Sequence, residues 1–153
     1  SRALVAASGD IAVSDAPPGA AGWDVVIESS TSKEAPALHL TLKHAAVSTA
    51  GDAYQFVEIA GRRYSHIVDP QTGLGLESRG SVTVIAPTGL QADGLDTTAV
   101  VLGPQRGFEF VQSERKQNDR LEAFLALDLR RLTSQVRRVH CSRERSSCPA
   151  FRS

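Results

Sequence analysis

The chain has 153 residues, no net charge at pH 7, 41% hydrophobic and 22% charged residues, the make-up of one ordinary globular domain with a single core. No run approaches the ~18 apolar residues of a membrane span, and nothing at the start reads as a signal peptide. Aromatics are only 5%, so the core must come from Val, Leu, Ile and Ala.

Charge is unevenly spread. Residues 1–113 hold 7 basic and 12 acidic side chains, and residues 114–153 hold 10 and 5. A basic end can serve nucleic acid or an acidic surface, but this one lacks interleaved aromatics and any nucleic-acid motif, so no nucleic-acid partner is expected. A solvated helix face followed by a disordered tail accounts for the charge. Cys141 and Cys148 lie in that tail, as a small disulfide loop or as free thiols. With no Met at position 1 or elsewhere, the sequence is expected to begin inside a longer chain or after a removed leader.

In chain order, Ala3–Ala6 reads as a strand ending in the Ser8-Gly9-Asp10 turn, and Ile11–Val13 resumes it. Residues 14–22 are a loop rich in Pro and Gly, and Trp23–Ser29 is a strand. Leu38, Leu40 and Leu42 alternate with polar residues, the period of a half-buried strand, which runs on through Ala45–Val47. Phe56–Ile59 and Arg63–Val68 form a hairpin about Ala60-Gly61. Asp69-Pro70-Gln71-Thr72-Gly73 is a turn, and Ser81–Ala86 is a strand. From Ala92 to Leu102 the spacing becomes helical, stopped by Gly103-Pro104. A short helix fits Gln105–Gln112. Leu121, Leu125, Leu129, Leu132, Val136 and Val139 then recur every three or four residues behind Asn118 as N-cap, which predicts a basic amphipathic helix within 114–140. Residues 141–153 are expected to be disordered. Strands first and helices last predict an α+β fold, an antiparallel sheet with C-terminal helices.

Three features carry chemistry. Asp93, Asp96 and Thr97 fall at i, i+3 and i+4, on one helix face. Two carboxylates and a hydroxyl suit a hard cation such as Mg²⁺, which keeps open positions for phosphate oxygens; carboxylates in a first helical turn also simply favour the dipole. His66, at a strand end before the Asp69–Gly73 turn, is a candidate base or ligand contact, or a structural histidine. The glycine turns Ser8-Gly9-Asp10, Ser48–Asp52 and Thr72-Gly73 offer backbone N–H groups to a ligand, which makes Gly9, Asp10, Gly51 and Asp52 candidate cofactor contacts.

Taken in order, Ser48–Asp52, the Gly61–Gly73 stretch with its His66-x-x-Asp69-Pro70-x-Thr72-Gly73 motif, Ser81–Pro87 and Ala92–Thr98 closely resemble the FAD:protein FMN transferase (ApbE) family. The resemblance covers residues 1–113, and the helix and tail beyond them carry no match. It implies cleavage of FAD at its pyrophosphate and transfer of FMN to a Thr or Ser hydroxyl of an acceptor protein. By position, Asp93, Asp96 and Thr97 hold Mg²⁺, His66 stands by the phosphates, and Ile67, Thr72 and Gly73 line the flavin nucleotide site. The sequence departs from the family in having Ser8 where its turn usually has Gly, and no counterpart of its N-terminal half, which supplies much of the FAD pocket. The family is often periplasmic or membrane-associated in bacteria, and neither compartment nor oligomeric state is legible here.

Three readings compete: a Mg²⁺-dependent flavin transferase or a fragment of one, a degenerate module that binds flavin or Mg²⁺ without transfer, and an interaction domain acting through the basic helix. The intact Asp93, Asp96, Thr97 and His66 favour the first over the second as ancestry, and the missing N-terminal half favours the second as present activity.

Overall fold

The computed structural model describes residues 1–27, 37–51, 55–77, 80–118, 120–126 and 137–138. In chain order these form β1 (Leu4–Ala7), β2 (Asp10–Val13), β3 (Trp23–Ile27), β4 (Leu38–Leu42), β5 (Ala45–Gly51), β6 (Phe56–Ile59), β7 (Arg62–Ser65), β8 (Ser81–Ala86), α1 (Gly89–Leu102), α2 (Pro104–Gln117), β9 (Glu122–Ala126) and β10 (Arg137–Arg138). The main sheet runs β1-β2-β5-β8-β9-β10, each neighbouring pair antiparallel. The class is α+β, as the sequence predicts. Two hairpins stand apart from that sheet, β3–β4 and β6–β7. In the second, Ala60 and Gly61 both take positive φ, 49° and 77°, the two-residue turn whose twist suits a tight hairpin.

The core lies on both faces of β8, whose six residues are all buried. On one face Val82, Val84 and Ala86 pack with Ala92 and Ala99 of α1 and Val111 of α2. On the other, Ile85 joins Val47, Val13, Val25, Leu40 and Leu42 beneath the β3–β4 hairpin. Helices, sheet and hairpin therefore form three layers, and β8, covered on both sides, buries all six of its residues, Ser81 and Thr83 included.

Helix α1 begins three residues before Ala92. Thr88 caps it, its hydroxyl accepting from the Gln91 amide at 3.3 Å and donating to the Gln91 side chain at 3.2 Å. Thr88-x-x-Gln91 has the sequence of a capping box, with Gln91 Oε1 accepting from the Thr88 hydroxyl, a signal present in the sequence that the apolar spacing obscures. The helix ends at Gly103, with φ 78°, and Pro104 opens α2 directly.

The end of the chain differs from expectation. Helix α2 continues to Gln117, past the boundary drawn at residue 113, and Asn118 caps its C-terminus, its amide donating to the Glu114 and Arg115 carbonyls. The helix predicted over Leu121–Val139 is a strand over Glu122–Ala126, paired with β8 from Ile85↔Glu122 to Ser81↔Ala126. The physical reason is the edge of β8. Both its faces are covered, so unpaired backbone groups along that edge would be buried without partners. A strand satisfies them; a helix keeps its hydrogen bonds to itself. Residues 127–136 and 139–153, with Cys141 and Cys148, lie outside the described residues.

Helices α1 and α2 touch through Gly107, where an added Cβ would strike the Ala99 carbonyl. On an open helix surface, Gly→Ala stabilises by about 1 kcal/mol. Here the sign reverses: Gly107→Ala is expected to destabilise by about 1–3 kcal/mol, the range for overpacking, measured as a lowered urea midpoint. A raised midpoint would show that the helices are not in contact there.

Candidate active site

The site is built around Asp96. It lies on α1, its side chain fully buried, beneath a helix that packs across β5 and β8. The Thr97 hydroxyl donates to its Oδ1 at 3.2 Å. Among the described residues its Oδ2 has no hydrogen-bond partner. Burial pushes the carboxyl up to about 6, the Ser48 hydroxyl and the amide and hydroxyl of Thr97 draw it back down, and the neighbouring charge of Asp93 raises it again. Asp93 itself is exposed and Thr97 half-buried.

Because α1 begins at Gly89, Asp93 lies beyond its first turn, which contains no acidic residue. The macrodipole acts within the first turn and does not account for these carboxylates. A buried carboxylate oxygen without a donor costs on the order of 1–3 kcal/mol. The donor set (two carboxylates and a hydroxyl) fits a hard divalent cation, which takes oxygen ligands and commonly only one or two carboxylates from protein. Among the described residues no three His, Cys, Asp or Glu side chains gather to hold a metal, so His66 does not join Asp93 and Asp96 as a third ligand.

His66 is exposed. Its backbone amide donates to the Gln55 carbonyl at 3.2 Å and its Nδ1 lies 3.1 Å from the same oxygen. A carbonyl only accepts, so Nδ1 is the donor here, and the ring nitrogen left to act as an acceptor is Nε2. The Asp69–Gly73 turn is held by its own polar groups. Asp69 Oδ1 accepts from the Gln71 amide at 2.8 Å, the Asp69 carbonyl accepts from the Gly73 amide at 2.8 Å, and the Thr72 hydroxyl accepts from the Leu74 amide at 3.3 Å. Gly73 has φ 70°, a conformation side chains resist. The returning segment docks on β7, with Ser65 N–H donating to Leu76 O and Leu76 N–H to Ile67 O. Ile67 is buried. Gly75, which the sequence reading passed over, makes this docking possible: a Cβ there would strike the Ser65 carbonyl.

The glycine candidates divide. Ser48–Gly51 is not an open turn but the end of β5, paired from Ser48↔Val84 to Gly51↔Ser81. Gly51 is glycine because its strand meets the approach to β8, where a Cβ would stand 2.9 Å from the Gly80 carbonyl. Gly9 places the β1–β2 tip against β5, a Cβ there falling 3.2 Å from the Thr49 carbonyl. Ser8, at the position of the departure from glycine, holds φ 55°, the left-handed region. Asp10 is exposed at the start of β2, and Asp52 lies outside the described residues.

The domain is a three-layer α+β fold with Asp93, Asp96 and Thr97 on one helix and the His66-bearing turn on a separate hairpin. The ApbE family profile matches residues 1–125, and the chain belongs to that family. The FAD:protein FMN transferase of Escherichia coli K12 is 44% identical over 94 residues, covering 60% of this chain and 27% of that protein. Its counterpart in Haemophilus influenzae is 33% identical over 93 residues, 59% of this chain and 27% of that protein. Among solved structures, the apo flavinyl transferase ApbE of Pseudomonas stutzeri superposes with a TM-score of 0.64 at 35% identity, over 81% of this chain and 37% of that one. The ApbE protein of Thermotoga maritima gives 0.71 at 27% identity, over 90% and 42%. The chain thus spans about a quarter of the length of the curated relatives it matches. The family match reaches residue 125, into β9, twelve residues past the limit read from sequence.

The raised Asp96 carboxyl makes a signed prediction. An acid whose folded pKa exceeds its unfolded value stabilises the fold fully below the unfolded value, here near 3.8, and loses that contribution as pH rises through about 6. Asp96→Asn is permanently neutral. In cation-free buffer it is expected to melt higher than the unsubstituted chain at pH 8, by at most about 3 kcal/mol, with the difference vanishing near pH 3.5. Thermal melts across that range check it, and a difference independent of pH would show that Asp96 is not desolvated.

Proposed function

We propose that this chain carries the cation- and phosphate-binding part of a flavin transferase that moves FMN from FAD to a Thr or Ser hydroxyl of an acceptor protein. The observation that carries the reading is the buried Asp96 carboxylate with an unpartnered oxygen, one helical turn from Asp93 and beside Thr97. The names of the relatives, FAD:protein FMN transferases, support the substrate and the reaction class.

In this reading Asp93, Asp96 and Thr97 hold Mg²⁺. The ion, when bound, neutralises charge on the pyrophosphate oxygens. The acceptor hydroxyl forms a bond to the FMN phosphorus, the bond to the bridging oxygen breaks, and AMP leaves with the electron pair. The hydroxyl proton needs an acceptor, and His66 Nε2 supplies one, since Nδ1 donates to the Gln55 carbonyl and leaves Nε2 as the accepting nitrogen. The Asp69–Gly73 turn with Ile67 offers backbone and hydroxyl contacts to the flavin nucleotide. The relatives are nearly four times as long as the stretch they share with this chain, and we infer that other walls of their FAD pocket come from outside it.

Two outcomes are expected. Asp93→Ala weakens Mg²⁺ binding by tenfold or more in titration calorimetry, on the order of one lost ligand or its support; an unchanged affinity removes the cation assignment. Incubated with FAD, Mg²⁺ and a Thr-containing acceptor protein, the chain alone labels the acceptor slowly, because one misplaced clamp costs about 100-fold. Rapid, stoichiometric gain of FMN mass by the acceptor would mean that these residues build the whole site.

A further inference from the structure

The hairpin that leads to His66 has one edge covered and one open. On the covered side the returning segment pairs with β7, the Ser65 N–H donating to the Leu76 carbonyl at 2.8 Å and the Leu76 N–H to the Ile67 carbonyl at 2.9 Å. Arg62 and Glu77 fasten the same side, Nε to Oε2 at 3.1 Å and Nη2 to Oε1 at 2.6 Å. On the other side β6 is the outer strand. Its register pairs Phe56 with Ser65, Val57 with Tyr64, Glu58 with Arg63 and Ile59 with Arg62, and the His66 N–H donates to the Gln55 carbonyl at 3.2 Å. In an antiparallel ladder that bond makes Phe56–Ser65 a non-hydrogen-bonded pair, so the bonded pairs are Val57–Tyr64 and Ile59–Arg62. Val57 and Ile59 therefore turn their backbone groups inward to β7. Phe56 and Glu58 turn theirs outward, and among the described residues nothing meets them. The outward bond of Ser65 to Leu76 obeys the same alternation.

Every residue of β6 is exposed, Val57 at 57% and Ile59 at 61%. An open edge with exposed apolar side chains is a template for pairing with another chain. The pleat sets Gln55, Val57, Ile59, Tyr64 and His66 on one face. That face runs along β6 to the imidazole, because Gln55, whose carbonyl accepts from the ring, immediately precedes the strand. The relatives are named for transfer to a protein, so a polypeptide has to reach the site in each turnover. A segment laid along β6 runs off the end of the strand at His66.

We propose that the outer edge of β6 is the docking site of the acceptor protein. The acceptor adds an extended segment as a further strand, its backbone bonded to Phe56 and Glu58, its alternate apolar side chains on Val57 and Ile59, and its Thr or Ser beyond Gln55 at His66. The assignment rests on the transferase reading above and deepens it. In strand addition of this kind the main-chain bonds give affinity and the alternate side chains give specificity.

The probe is a synthetic peptide alternating Thr and Val, with Lys at each end for solubility, added to the full chain without FAD or metal. Amide hydrogen exchange is followed by NMR. At a peptide concentration about ten times its Kd, the Phe56 and Glu58 amides are expected to exchange about tenfold more slowly. The Val57 and Ile59 amides, bonded to β7, change little, and the peptide N-methylated throughout protects nothing. Glu58→Pro removes one outward N–H and leaves the bonds of Val57 and Ile59 in place; it is expected to weaken the peptide by about tenfold, the worth of one hydrogen bond. The double variant Val57→Thr with Ile59→Thr keeps strand propensity and removes the apolar face, so it weakens the peptide even if Glu58→Pro folds poorly. In the slow labelling reaction with FAD, Mg²⁺ and a Thr-containing acceptor protein, saturating peptide is expected to suppress labelling. The proposal is overturned by peptide that leaves the β6 amides unprotected, by variants that bind it as the unsubstituted chain does, or by labelling that saturating peptide leaves undiminished. Protection of β6 that grows with protein concentration in the absence of peptide, with a dimer in sedimentation, assigns the edge to a second copy and overturns it too. If the peptide docks and no acceptor is ever labelled, the transferase reading fails and takes the acceptor assignment with it. If labelling occurs and the peptide does not dock, the docking proposal fails alone.

Discussion

Strand β8 has no exposed face, and the positions of its neighbours follow from that burial. Its helix-facing side chains need α1 and α2, its other side needs the β3–β4 hairpin, and its two edges need β5 and β9. A strand of Val, Ile and Ala with small hydroxyl residues packs closely on both sides. The close approaches elsewhere follow from the same economy of space. Gly51 admits the β5–β8 contact and Gly107 admits α2 onto α1. The Thr49 and Thr83 hydroxyls, directly opposite in register, bond to each other at 2.9 Å on the hairpin side, so that polar atoms within the sheet are matched in place.

Into this apolar layer the chain sets one carboxylate. An isolated buried charge is strongly unfavourable, and a domain built only for stability would place a neutral residue at 96. The carboxylate persists with one oxygen satisfied and one not, close to a second carboxylate that raises its pKa further. Stability given up at one buried position makes Asp96 a functional-site candidate. The neighbouring hairpin has a different construction. The Asp69–Gly73 turn and His66 are held by backbone and local side-chain hydrogen bonds at the surface, so their geometry depends little on the core.

Much of this was readable along the chain. The Ala60-Gly61 turn and the helical spacing up to Leu102 are local patterns, and each became the element it predicted; the period-2 run at Leu38–Leu42 is a strand, but it does not run on through Ala45–Val47, because the chain turns at His44, with φ 49°, and Ala45–Gly51 pairs in another sheet. The motif containing His66 and Gly73 is also local, and its turn formed as read. Three other features were misread for one reason: their explanation lies in another segment. Ser48–Gly51 has the composition of a turn, but β8 pairs with it. Leu121–Val139 has helical spacing, but over Glu122–Ala126 the free edge of β8 requires a strand. Asn118 has the chemistry of an N-cap and closes the preceding helix instead.

The sequence by itself determined the class of fold, the placement of two carboxylates and a hydroxyl on one helix face, and the likeness to flavin transferases. Helix periodicity and turn chemistry act over a few residues and need no partner to be recognised. Only the tertiary structure decided that Asp96 is the buried member of the pair and Asp93 the exposed one, and that Ser48 is buried on the side of β5 turned toward α1. Burial depends on which segment lies across from a residue, and the packing of α1 on β5 and β8 places positions 48 and 96 in one buried layer, which no local pattern connects.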